Sequence, residues 1–219
     1  MDGFKKLVPA IIAKGIENVD LSMFDEEARK NILNVAGEEY MRKGRVVDAL
    51  KVFALTDNRE KLVEVGDDLK QGGNFSSALD AYRLAENLDK IRELGDRCLK
   101  ESRLTDAVKA FKILDDTGKL LKVGDLCLEK EKIDSALEVF SVLDNKDKLN
   151  FLGDKCFKEG QYAYAARAYE LSGDKAKLSK LGDACFKEGL VAAALQVYQL
   201  AENDIMVKFI RENFPKVGR

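Results

Sequence analysis

The 219-residue chain has no histidine, no tryptophan and only two prolines, Pro9 and Pro215. Without an imidazole, the histidine-based triads, dyads and zinc sites are all excluded. Proline is the residue that removes a helical N–H and breaks the ladder, so the long stretch between Pro9 and Pro215 reads as mostly helix. Long apolar runs are also missing. The longest, Leu7 to Ala13, is interrupted by Pro9 and falls far short of the roughly 20 residues that span a bilayer. The N-terminus lacks the cationic start, apolar core and small-residue cleavage site of a secretory leader, so none is expected. Neither sign of charge dominates: 37 basic residues stand against 39 acidic ones, a net charge of −2. No basic excess is left to neutralise phosphates, and neither nucleic acid nor a membrane is an expected partner.

What the chain does have is a period. Glycine returns every 29 residues, as Gly37, Gly66, Gly95, Gly124, Gly153 and Gly182, each followed by an acid: Glu38, Asp67, Asp96, Asp125, Asp154, Asp183. A fixed period of this length means one supersecondary unit has been copied and stacked. Within a copy, Leu62, Val65 and Leu69 recur at i, i+3, i+7, one face of a helix. Gly72-Gly73 stops that helix. A second stripe follows in Phe75, Ala78, Leu79, Tyr82 and Ala85, and Asn87 is placed to cap the next helix. Each unit is therefore two antiparallel helices joined by tight turns. Two further columns run through all six copies: alanine twelve residues after the glycine (Ala49 to Ala194) and an aromatic ring four later (Phe53, Tyr82, Phe111, Phe140, Tyr169, Tyr198). A mid-helix glycine costs about 1 kcal/mol against alanine. The column is explained if each glycine lets the alanine face of the second helix approach, with the ring filling the space beside it.

These columns resemble the tetratricopeptide family. Leu149-x2-Leu152-Gly153-x2-Cys156 and Ala165-x3-Tyr169 follow its signature with Leu for Trp and Cys for Tyr, and the first copy keeps the tyrosine as Gly37-x2-Tyr40. The terminal proline is missing, and the period is shorter than the family's of about 34. Trimmed hairpins of this kind are similar to the solenoids of coatomer and intraflagellar-transport subunits. The resemblance implies an all-α fold, a right-handed α-solenoid of helix-turn-helix repeats. One elongated domain is expected, with an N-terminal helical cap over 1–36, six repeats over 37–204 and a capping half repeat over 205–219.

The acid column admits two readings. Glu38–Arg42, Asp96–Lys100, Asp154–Lys158 and Asp183–Lys187 stand at i, i+4 with the acid first, the favourable order for a helical ion pair. The resemblance implies instead that the first helices line a concave groove. It would then carry Glu38, Asp67, Asp96, Asp125, Asp154 and Asp183, with Glu60, Asp89, Glu129 and Asp147, against Arg42, Arg92, Lys100, Lys158, Lys187 and Lys208. Ten acids against six bases make that face acidic. An apolar column beside it (Met41, Leu99, Leu128, Phe157, Phe186, interrupted by Lys70) is either core or a floor into which a partner sets anchors. The partner-binding candidates are Asp67, Asp96, Asp125, Asp154, Asp183, Leu99, Leu128, Phe157 and Phe186. The partner they imply is a protein or peptide, apolar with basic flanks.

Cys98, Cys127, Cys156 and Cys185 share one column, three residues after the glycine. Repeats stack about 8–10 Å apart. Zinc needs its sulfurs within about 4 Å of one another, and a disulfide needs Cα atoms within about 7 Å. A ladder satisfies neither, so the thiols read as small buried hydrophobes, with reduced thiols pointing to the cytoplasm. The glycines never cluster into a phosphate loop and the carboxylates are spread along a surface, so no enzyme, metal or cofactor is expected. At the ends, Phe4, Leu7, Val8, Ile11, Ile12 and Ile16 form an amphipathic helix suited to cap the first hairpin. Ser22 to Glu26 reads as a helix start. Ile205, Met206, Val207, Phe209, Ile210 and Phe214 surround a last helix whose apolar face offers a route to self-association. The function expected is a non-catalytic protein–protein scaffold or adaptor. The alternative is a structural subunit assembling through its ends.

Overall fold

The computed structural model describes residues 7–215, and among them every regular element is helical. Two compact units divide the chain, Met1–Asp115 and Asp116–Arg219. The first contains α1 (Val8–Lys14), a short 3-10 turn (Ile16–Asn18), α2 (Glu26–Arg42), α3 (Val46–Leu55), α4 (Arg59–Gln71), α5 (Phe75–Leu84), α6 (Leu88–Lys100) and α7 (Leu104–Ile113). The second contains α8 (Thr117–Glu129), α9 (Ile133–Val142), α10 (Lys146–Lys158), α11 (Tyr162–Ser172), α12 (Lys175–Lys187), α13 (Val191–Leu200) and α14 (Asp204–Asn213). Within each unit every helix packs on the next. The protein is an all-α helical repeat, three hairpins per unit.

At the turns between hairpins one residue does two jobs. Asn87 N–H donates to Tyr82 O (2.9 Å), closing α5, while Asn87 Oδ1 accepts from Lys90 N (3.1 Å), capping α6. Asn58, Asn74, Asp116, Asn145, Asp174 and Asn203 cap their helices in the same way. The preceding residue takes the left-handed conformation that such a helix end requires. At the turn inside the hairpin it is glycine in four repeats (φ 70° to 79°) and Ser102 or Glu131 in the other two.

The glycine column packs differently from the sequence expectation. At four of the six glycines the nearest group is the aromatic ring, and at none is it the alanine twelve residues on. A Cβ built at Gly153 would lie 2.5 Å from Tyr169 Cε1, and at Gly37 2.6 Å from Phe53 Cε1. At Gly95 and Gly124 the atoms nearest the built position are Ala110 Cβ and Val139 Cγ1, with Phe111 and Phe140 next. Six rings lie edge-on against helical backbone, and all six are buried. The alanine column is fully buried as well.

Two hairpins add a polar clasp. Thr56 Oγ1 donates to Asn34 Oδ1 (3.0 Å), and Ser172 Oγ to Asn150 Oδ1 (2.9 Å). At the N-terminus, α1 buries Val8 and Ile11, and Tyr40 hydroxyl donates to Ile11 O (3.0 Å). Arg45 donates to Ile12 O (2.9 Å). Phe4, expected in this cap, lies outside the described residues. Asp25 caps α2 through Ala28 N (2.7 Å), as the Ser22 to Glu26 segment suggests. Because α2 starts at Glu26, the first hairpin begins inside the stretch assigned to the cap.

Candidate functional site

The acid column follows the glycine column, so each acid leaves its first helix beside the ring that fills the glycine. Where that ring is tyrosine, its hydroxyl donates to the acid: Tyr82 to Asp67 (2.7 Å), Tyr169 to Asp154 (2.8 Å), Tyr198 to Asp183 (2.6 Å). A lysine from the next repeat closes on the same carboxylate. Lys90 Nζ lies 2.8 and 3.0 Å from the two Asp67 oxygens. Lys177 Nζ lies 2.8 and 2.7 Å from those of Asp154. Lys148 reaches Asp125 (2.8 Å), and Lys61 reaches Glu38 more loosely (3.7 Å). For Glu38 and Asp154 the expected pairing with the residue four on gives way to a lysine 23 residues on. Even Arg42 turns to Glu39 (3.3 Å) in place of Glu38.

These contacts set the local protonation. Lys90, then Tyr82, hold the Asp67 carboxyl below its ordinary range. Burial pushes Asp154 up, but Lys177 and Tyr169 overcome it and the net shift is also downward. Tyr82, Tyr169 and Tyr198 are pushed up by burial and by the carboxylate each one faces. Asp125 is the exception. Phe140 offers no hydroxyl, and Lys148 Nζ stands beside Oδ1 as an ion partner at 2.8 Å. Asp125 Oδ1 is buried and takes part in no hydrogen bond among the described residues.

Glu38, Asp67, Asp125 and Asp154 are therefore staples between repeats, and the face is less acidic than its acid column suggests. The balance behind a basic-flanked partner left out a lysine column: Lys61, Lys90, Lys119, Lys148 and Lys177, also at a strict period of 29. That period was the signal in the sequence that could have found it. Among the candidates, Asp67, Asp96, Asp125 and Asp154 are half-buried and Asp183 is exposed. Asp183 has no lysine of this column because Met206 occupies the corresponding position.

The apolar strip is half-buried throughout: Leu99, Leu128, Phe157 and Phe186. Phe157 lies against Tyr162, ring centroids 5.9 Å apart. Phe186 is packed edge-on by Phe209 (6.1 Å) and Phe214 (5.8 Å) from the C-terminal segment. The more exposed apolar side chains are others. Phe151 on α10 is 58% exposed, and Ile205 and Phe209 on α14 are 82% and 43% exposed. Only Ile210 of α14 is buried. Arg211 stands where a seventh glycine would be, so no ring can seat there as it does in the six hairpins.

The four thiols are buried, one in each of α6, α8, α10 and α12. Burial pushes Cys98 up to about 11 and raises the other three. Among the described residues no helix is long and apolar enough to cross a membrane. No family model matches the chain, and no curated protein matches it at a significant level.

Proposed function

We propose that the chain is a non-catalytic protein–protein interaction scaffold of tetratricopeptide-like repeats. It would act in the cytoplasm and present the first-helix faces of its hairpins to a polypeptide. One observation supports this reading most directly. Large apolar side chains such as Phe151 stand exposed on helices that are capped and ion-paired into place. Holding such groups in water is useful when a partner covers them. Cross-linking through lysine in cells that express the protein tests it. The expected result is a set of cross-links from first-helix lysines to a different protein, with the purified chain a single species by light scattering.

A second reading rests on α14, where Ile205 and Phe209 offer an apolar face at the end of the last repeat. Under that reading the chain assembles with itself. Its mass would rise with concentration, and Ile205→Lys would return it to one chain.

A further inference from the structure

We infer that the second unit carries a docking surface for an acidic polypeptide segment with one apolar anchor, centred on Phe151. This inference rests on the scaffold reading and specifies the partner's chemistry. Phe151 lies three residues after Lys148 and three before Asp154 on α10. Lys148 pairs back to Asp125 on α8, and Asp154 pairs forward to Lys177 on α12. Residues at i−3 and i+3 flank a helical position on one face. Phe151 is thus fixed on the open side of the row α8, α10, α12, between two staples, while Leu149 and Leu152 enter the core. The helix that carries this anchor is already ordered, so binding has only the side chain left to immobilise.

Charge selects the partner. Helix α10 has four lysines against two aspartates, and α12 has four lysines against a single aspartate. Lys148, Lys155, Lys175 and Lys177 are paired with carboxylates. Lys146, Lys158, Lys180 and Lys187 supply the basic charge left on these two helices in a chain whose net charge is −2. Lys122 and Lys180 occupy the Phe151 position in the repeats on either side, and both are exposed. A segment that lays an apolar side chain on Phe151 would place its flanks over these two lysines, so acidic flanks are favoured. A nucleic acid fits less well. Asp147 stands one helical turn from Phe151 and is exposed, and Asp183 and Glu129 are exposed on the neighbouring helices. A continuous polyphosphate would meet all three.

A random twelve-residue peptide library displayed on phage, panned against the full chain, tests the inference. Peptides rich in Asp and Glu around one aromatic or aliphatic residue are expected. Their binding should weaken about tenfold or more on Phe151→Ser, as for the loss of an interface anchor. It should also weaken on Lys180→Glu. Both positions are exposed, so the variants should keep the parent's circular dichroism and melting temperature. Selected peptides that are basic, or that ignore both substitutions, would overturn this surface and leave the scaffold reading standing. Displacement of the peptides by a single-stranded oligonucleotide would overturn it in favour of nucleic acid. A library that yields no binder at all would overturn the scaffold reading with it.

Discussion

At the scale of single residues, the glycine and the ring that replaces its side chain form the unit of packing. A valine at Gly124 would drive its Cβ against Val139 Cγ1 and Phe140 Cε1, at 2.6 and 2.8 Å before any movement. Gly124→Val should cost ~3 kcal/mol, read from urea denaturation, through overpacking. The ring's para position has a separate role. Tyr169 donates to Asp154, whereas Phe140 has no hydroxyl to offer Asp125 Oδ1, which makes no hydrogen bond among the described residues. Phe140→Tyr should therefore stabilise the protein by about 1 kcal/mol, the net worth of one hydrogen bond. Tyr169→Phe should lose a similar amount. Opposite signs in the two variants are the outcome to look for, because a simple size effect would not reverse.

Helices and turns raise a different question, since every hairpin needs two sharp turns in few residues. The left-handed turn residue between hairpins is glycine only at Gly173. Asp57, Glu86, Asp115, Asp144 and Glu202 take φ between 46° and 54° in the other repeats. A side chain in this region costs roughly 1 kcal/mol or somewhat more. Asp144→Gly should thus raise the melting midpoint, worth about 0.5–1 kcal/mol once the looser unfolded chain is allowed for. The cap on the far side of the turn acts independently. Asn87→Ala keeps the backbone bond to Tyr82 but loses the acceptor for Lys90 N–H, and should cost about 1 kcal/mol. Both effects are local enough to add in the double variant when made in different repeats.

On the scale of the whole molecule, repeats are held by apolar stacking and by the acid staples, and the staples give stability a pH dependence. Asp67 and Asp154 both titrate lower folded than unfolded. Their contribution is full above the unfolded value, about 4, and is lost as pH falls through the lower folded value. Melting temperature should therefore begin to fall as pH drops below about 4 and keep falling on further acidification. The Asp67→Asn, Asp154→Asn double variant should start lower at neutral pH and show a shallower fall. Both carboxyls remain partly exposed, so salt should also reduce the difference between parent and variant.

Much of this is legible in the sequence alone. The period, the paired stripes, the asparagine caps and the columns of alanine and aromatic residues all depend on positions within one helix or its adjoining turn, where spacing alone decides who meets whom. Buried thiols in one column followed from the same spacing. Tertiary structure decided the partners that cross between helices. Asp154 had a lysine four residues away and another 23 away, and stacking of α12 beside α10 selected the second. The ring lies against the glycine because a flat side chain from the second helix can reach that backbone, joined at Gly95 and Gly124 by Ala110 and Val139. Phe151 shares its helix with Leu149 and Leu152, and hydrophobicity does not separate them. Only the direction each points from α10 leaves one in water and two in the core.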